Sequence, residues 1–298
     1  MTIQLRLGTR GSLLAKTQTE WVATQLRKAH PDLEIITQII QTTGDLKSGV
    51  PFAEVGTKGM FVKELETALL QNEIDVAVHS LKDMPAELPQ GLELACIPVR
   101  EDPRDALISR KGETIDALPH GTKVGTSSAR RTAILRDYRS DFDVEELRGN
   151  LDTRLRKLDE GQYDAILLAC AGLNRLGLGE RISQALPVES FVPAVAQGAL
   201  ALETRVGDKD ILALLLPIHH EETALQIRAE RAFLGAVEGG CSVPVGAFAS
   251  LLSNNKIQLR SLIADESGNL YRDTLSGERE NAEEIGRELA FRSLAARK

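Results

Sequence analysis

Along most of the chain, short apolar runs alternate with stretches whose apolar residues recur every three or four positions. That alternation is the signature of strands and helices in turn, an α/β pattern. Gln4 to Gly8 reads as a strand. Thr9-Arg10-Gly11-Ser12 follows, and then a helix with Leu14, Trp21, Val22 and Leu26 on one face, for which Ser12 is a good N-cap. Glu34 to Ile40 is the next strand, and Met60 to Gln71 is a helix with Phe61, Leu65 and Leu69 in line. Val76 to Val78 is a short buried run and Gly91 to Val99 a further strand. Asp105 to Ser109, Thr122 to Gly125, Val144 to Leu147 and Asp164 to Ala169 continue the series, with helices predicted from Ala129 and from Leu151. Asp164 to Ala169 is almost unbroken apolar sequence, as in a parallel strand covered on both faces. Ala199 to Glu203 is expected to carry the chain back to the first lobe.

The last section has a different rhythm. After a short helical piece, Ile211 to Leu216, comes a long helix, Glu221 to Glu238. Strands at Phe248 to Leu251, Ile257 to Ile263 and Leu270 to Leu275 follow, with a hairpin turn at Ser267-Gly268-Asn269 and a final helix from Asn281. The expected fold is α/β. It has two similar doubly wound lobes flanking a cleft, periplasmic-binding-protein-like, plus a small C-terminal α+β domain with a three-stranded antiparallel sheet. Domain 1 takes residues 1–99 and 194–216, domain 2 takes 100–193 and domain 3 takes 217–298.

Two stretches break the pattern. Residues 41–59 are rich in Gly and lack periodicity, which suggests a mobile lid over a site. Ile74 to Pro85 runs from the buried Val76 to Val78 straight into His79, Ser80, Lys82 and Asp83. Ligands of open α/β sheets sit beyond the carboxyl ends of strands, so Lys82 and Asp83 are candidates for chemistry. A salt-bridged turn capped by Ser80 or Asp83 is the plainer alternative. Gly125-Thr126-Ser127-Ser128 repeats the strand, Gly-Thr, hydroxyl-cap, helix order of Gly8 to Ser12. Helix starts of this kind favour anions. Arg10, Arg130, Arg131, Arg148 and Arg175 all fall at predicted strand ends or helix starts. A planar guanidinium there suits carboxylates or phosphates.

Composition narrows the class. The 298 residues are 42% hydrophobic and 27% charged, in the range of a soluble globular chain of two or three domains. The net charge of −7 and an aromatic content of 4% weigh against nucleic acid as partner. No apolar run approaches the roughly 20 residues of a membrane helix, and the N-terminus lacks a signal-peptide core. Three separated cysteines, Cys96, Cys170 and Cys241, fit a reducing, cytoplasmic compartment without disulfides or zinc. His219-His220 lacks a third ligand nearby and reads as capping or packing. A lone cysteine is usually a small buried hydrophobe. Cys241 sits in a Gly-Gly-Cys loop, where exposure and reactivity are also open to it.

Several stretches together resemble the hydroxymethylbilane synthase (porphobilinogen deaminase) family. They are TRGS (Thr9 to Ser12), VGTKGMFVKELE (Val55 to Glu66), DVAVHSLKDMP (Asp75 to Pro85), REDPRDAL (Arg100 to Leu107), VGTSSARR (Val124 to Arg131), LRGNLDTRLRKL (Leu147 to Leu158), YDAILLACAGLNRLGL (Tyr163 to Leu178), PAVAQGALALE (Pro193 to Glu203) and EGGCSVPVGA (Glu238 to Ala247). The resemblance implies a cytoplasmic, monomeric transferase that joins four porphobilinogen molecules head to tail with loss of ammonia. It implies a dipyrromethane cofactor on Cys241 through a thioether, no metal, Asp83 as catalytic carboxylate and Lys82 beside it. By position, Ser80, Lys82, Asp83, Thr126, Ser128, Arg130, Arg131, Arg148 and Gly149 would hold the cofactor. Arg10, Ser12, Lys58, Phe61, Arg148, Arg154, Arg175 and Gln197 would hold substrate. Leu13, Thr17 and Glu54 depart from the pattern expected of relatives. An exported solute-binding protein and a nucleic-acid binder are the competing classes. The first would not need Cys241.

Overall fold

A computed structural model describes residues 4–43, 62–238, 244–265 and 267–297. Most of the expected lid lies outside them. The chain groups into two compact units, Met1–Glu101 with Ala199–Ala224, and Asp102–Gly198 with Leu225–Lys298.

The first unit is built on a five-stranded sheet of β1 (Gln4–Arg10), β2 (Glu34–Ile40), β3 (Val76–Ser80), β4 (Leu92–Cys96) and β10 (Leu200–Arg205), in the order β2-β1-β3-β10-β4. β1 runs parallel to β2 and β3, whereas β10 runs antiparallel to β3 and β4. β10 follows the stretch from residue 192 to 199 and joins the first sheet between β3 and β4. Helix α1 (Leu13–Ala29) covers the sheet through Val22, Ala23 and Leu26, against Leu5, Leu7 and Val76. Leu14 and Trp21 are only half-buried. Gln18 and Thr19 take their places in the buried stripe, Gln18 because its amide finds a partner in Ser80. Helix α2 (Lys63–Leu70) packs Leu65 and Leu69 against Ile74 and Ala77.

The second unit carries β5 (Asp105–Ser109), β6 (Lys123–Gly125), β7 (Asp143–Glu145), β8 (Ala165–Ala169) and the two-residue β9 (Gln184–Ala185), in the order β7-β6-β8-β5-β9. Its helices are α3 (Ala129–Tyr138), α4 (Leu151–Asp159) and α5 (Cys170–Arg175). β6 is parallel to β7 and β8, and β5 is antiparallel to β8 and β9. The order and directions match those of the first sheet, so the short Gly-Thr echo in the sequence marks equivalent strands. β8 is thus parallel on one side only. Being covered on both faces, it reads as continuously apolar whichever way its neighbours run. β9 and α5 carry too few residues to show a period.

A third sheet, β11 (Val245–Leu251), β12 (Lys256–Ala264) and β13 (Leu270–Glu278), is antiparallel throughout. Leu262 shares a core with Leu107, Val124 and Leu167 of the second sheet and Ile134 of α3, and α8 (Ala282–Ala296) lies on β12 and β13. A short helix, α6 (Lys209–Leu215), precedes α7 (Glu221–Glu238), in which the fully buried Glu230 accepts hydrogen bonds from Ala249 N at 2.9 Å and Ala196 N at 2.7 Å. Ala196 has φ +58°, a left-handed conformation unusual for a residue with a Cβ, and Glu230 secures it beside Gln197. His220 caps α7, its Nδ1 accepting from Thr223 N at 3.2 Å.

Candidate active site

In the first unit, β3 stays buried through His79 and stops at Ser80; a single 3₁₀ turn, Leu81–Asp83, follows. The strand end is held on three sides. His79 Nε2 donates to Glu203 Oε2 of β10 at 2.9 Å, Gln18 Nε2 donates to Ser80 Oγ at 2.8 Å, and Leu81 N donates to Ala199 O at 3.1 Å. Leu81 and Met84 point into the core, while Lys82 and Asp83 between them are exposed. The sequence pattern placed His79 among the polar residues after the strand; the structure makes it the strand's last buried residue. Arg10 ends β1, and Ser12 caps α1, its Oγ accepting from Ala15 N at 3.3 Å.

In the second unit, Ser128 caps α3, its Oγ accepting from Arg131 N at 3.4 Å, and Thr126 Oγ1 accepts from Ser128 N at 3.2 Å. The buried Arg130 and Arg131 both turn to Asp105, which is fully buried. Arg130 Nη1 lies 2.8 Å from Asp105 Oδ2, and Arg131 Nη2 lies 2.7 Å from Oδ1. Burial alone would raise the Asp105 pKa. The charges and hydrogen bonds of both arginines outweigh it and hold this carboxyl well below the ordinary range. Gln197 completes the cluster, donating to Asp105 Oδ1 at 2.9 Å and to Pro103 O at 2.8 Å. Arg130 Nε is left as a buried donor with no hydrogen-bond partner among the described residues.

The loop after β7 presents Arg148, whose Nη2 donates to Glu146 Oε1 at 2.5 Å. Gly149 has φ +114°, and a Cβ there would lie 2.6 Å from Thr153 Cγ2, so only glycine fits this turn into α4. Arg154 Nε donates to Gly149 O at 2.8 Å, stiffening the same turn. Arg175 lies at the end of α5, not at a strand end, and its Nη2 donates to Gly198 O at 2.8 Å.

Lys58, Phe61, Glu54 and Cys241 lie outside the described residues. The chain resumes at Pro244, and β11 begins at Val245. There Gly246 is pressed so closely against the neighbouring segment that a Cβ would lie 2.8 Å from Val192 O and Pro193 O and 3.1 Å from Arg130 Cδ. The start of β11 therefore packs beside Arg130. A cavity of about 420 Å³ opens beside Pro244, lined by Thr126, Ser127, Ala129, Glu145 and Glu146 among others. The Thr126 and Ser127 hydroxyls and the start of α3 are donors suited to a carboxylate-bearing group, beside the acidic Glu145 and Glu146; Arg130, turned to Asp105, does not line this cavity. Among the described residues, no three His, Cys, Asp or Glu are grouped to hold a metal ion. No described helix is long and apolar enough to cross a membrane. The thiols of Cys96 and Cys170 are buried, and burial pushes both up to about 12.

Sequence reasoning passed over Asp105, Glu146 and Glu203. The signal for Glu203 was a carboxylate in an otherwise apolar strand. For Asp105 it was an acid opening the apolar run of β5.

These features define a class: an α/β protein with two mixed five-stranded sheets and a three-stranded antiparallel sheet, whose helix starts present donors suited to anions. Residues 5–213 match the model of the porphobilinogen deaminase, dipyromethane cofactor binding domain, and residues 224–295 match that of the porphobilinogen deaminase C-terminal domain. The chain belongs to the porphobilinogen deaminase family. It is 49% identical to a porphobilinogen deaminase of Syntrophotalea carbinolica, over 98% of this chain and 92% of that protein. It is 50% identical to one of Brevibacillus brevis, over 92% of this chain and 89% of that protein. Among solved structures it is similar to the methionine-binding protein MetQ, at 14% identity and a TM-score of 0.44, over 74% of this chain and 92% of that one. Its activity is that of a porphobilinogen deaminase, a transferase of tetrapyrrole biosynthesis, and it contains the dipyrromethane cofactor-binding domain.

Proposed function

We propose that the chain joins four porphobilinogen molecules head to tail, releasing ammonia at each step, to give hydroxymethylbilane. Asp83 is the catalytic carboxylate and Cys241 the point of covalent cofactor attachment. The observation that carries this is the turn Leu81–Asp83: two opposite charges exposed at the end of a strand fixed on three sides. Loss of ammonia leaves positive charge delocalised over a methylene-pyrrole. A rigidly held carboxylate stabilises that charge by accepting hydrogen bonds from pyrrole N–H groups. Asp83 also takes part in moving the proton released as the new carbon–carbon bond forms. Lys82 beside it pairs with a substrate carboxylate.

Dipyrromethane, when bound, supplies the free pyrrole carbon from which the chain is extended. In the second unit, Thr126, the α3 start, Arg130 Nε and the loop of Arg148 and Gly149 are the proposed cofactor residues; in the first unit they are Ser80, Lys82 and Asp83. The close packing of Gly246 against Val192, Pro193 and Arg130 supports this, because it places β11, which follows the cysteine in sequence, beside the arginine cluster. Arg131 and Gln197 act through Asp105, which orients Arg130 beside them. Arg10, Ser12, Arg148, Arg154 and Arg175, with Lys58 and Phe61, would receive the acetates and propionates of incoming substrate. A cytoplasmic monomer is part of the same reading.

Turnover of Asp83→Asn tests it. The substitution removes one charge at an exposed position, so the fold is expected to persist while ammonia release collapses. Near-normal turnover would take Asp83 out of the chemistry.

A further inference from the structure

His79 and Glu203 lie on neighbouring antiparallel strands at diagonal positions. His79 is registered with Ala201 and Glu203 with Ala77, so their side chains share one face of the sheet. His79 is 5% exposed and Glu203 fully buried, and the bond between them is 2.9 Å long. Around them β3 and β10 are apolar, with Val76, Ala77, Val78, Leu200, Ala201 and Leu202 all buried. A sheet in need only of packing would hold two more aliphatic residues here, because a buried ion pair is often no better than its apolar isostere. This pair also leaves Glu203 Oε1 buried with no hydrogen-bond partner among the described residues. An orphaned buried carboxylate oxygen is destabilising and calls for a role beyond packing. Glu66 of α2 is buried on the same side and lies in the field of both groups, with Lys63 nearby.

The pair stands two residues before the turn that carries Lys82 and Asp83. Unlike an aliphatic contact, its hydrogen bond is directional. It ties the end of β3 to β10 along the strand axis as well as across it. We propose that His79 and Glu203 are positioning residues for the reaction: the buried strut between them fixes the Leu81–Asp83 turn, and Asp83 acts on substrate from that fixed place. This rests on Asp83 being the reacting carboxylate. A misplacement of about 1 Å at a reacting group can cost on the order of a hundredfold in rate. The strut is therefore expected to show chiefly in kcat and little in KM, because Lys82 is one of several groups that would hold substrate.

The test replaces both members by aliphatic residues, His79→Leu with Glu203→Leu, which removes the strut and leaves a filled core. The variant is expected to unfold at or above the wild-type midpoint, to release ammonia with kcat at least about tenfold lower, and to keep KM within about twofold. Wild-type kcat in this folded variant would overturn the proposal, as would a loss confined to KM. Should the double variant fail to fold, Glu203→Met decides: it keeps the length of the side chain while removing the acceptor for His79. A kcat drop with constant KM is again required, and unchanged kcat again overturns the proposal. Asp83→Asn is measured alongside. Normal turnover there removes the reading on which the proposal rests, whereas a dead Asp83→Asn beside a fully active aliphatic pair removes the strut alone.

Discussion

Arg148 Nη2 donates to Glu146 Oε1 across 2.5 Å, two residues back along the same loop. Neither side chain is buried, at 30% and 56% exposed, so water already weakens the pair. Such contacts contribute about 0–1 kcal/mol. Glu146 nonetheless occupies the guanidinium that a substrate carboxylate would use, and an incoming acetate or propionate has to displace it. Glu146→Gln is expected to lower KM for porphobilinogen by up to about fivefold, the equivalent of about 1 kcal/mol, with little change in the unfolding midpoint. Steady-state kinetics read this directly. An unchanged KM would make Arg148 part of the loop's own structure.

Asp105 is the opposite case, a carboxylate enclosed by two arginines and Gln197. Asp105→Asn leaves two buried guanidinium groups without their counter-charge. The expected loss is about 3–5 kcal/mol in denaturant unfolding. The acid side gives a second check. The folded pKa lies below the unfolded one, so the native state binds fewer protons. Its contribution is complete above the unfolded carboxylate range and is lost as pH falls through that range toward the folded value. Wild-type stability should fall below about pH 4, and Asp105→Asn should show a shallower fall.

Glu66 shifts the other way. Burial, then the charge of Glu203, raises its pKa against weaker opposing effects of His79 and Lys63. A raised folded pKa means the native state holds its proton more tightly. Its contribution is complete below the unfolded value and is lost as pH rises through the folded one. Stability should therefore decline with rising pH above the ordinary glutamate range. Glu66→Gln should remove that part of the slope, as measured by unfolding at a series of pH values.

Gly246 tests how closely β11 is held to the arginine cluster. A methyl group there meets two backbone carbonyl oxygens at 2.8 Å, and backbone cannot rotate away as a side chain does. Gly246→Ala is expected to destabilise by about 1–3 kcal/mol and to reduce the fraction of protein carrying cofactor. Thermal unfolding and absorbance of the bound pyrroles measure the two effects separately.

The two-lobe architecture could be read from sequence because each lobe follows the same strand-and-helix rhythm, and Gly8 to Ser12 and Gly125 to Ser128 do begin equivalent helices. The turn at Lys82 and Asp83 could be read because it breaks an apolar strand abruptly. What could not be read is which charges face each other. The arginines looked alike along the chain, yet Arg130 and Arg131 turn inward to Asp105 while Arg148 stays at the surface. Pairing over such separations is decided by which strands are neighbours, and local sequence does not record it. His79 was misplaced for the same reason: its partner, Glu203, lies on a strand that returns from the second unit.

The central claim is that this chain extends tetrapyrrole from a cofactor attached at Cys241. The most direct measurement is the intact mass of freshly purified, active protein. The expected result is the chain plus a covalent adduct of two pyrrole units, absent from Cys241→Ala and retained in Asp83→Asn. Active protein with the mass of the bare chain would contradict it.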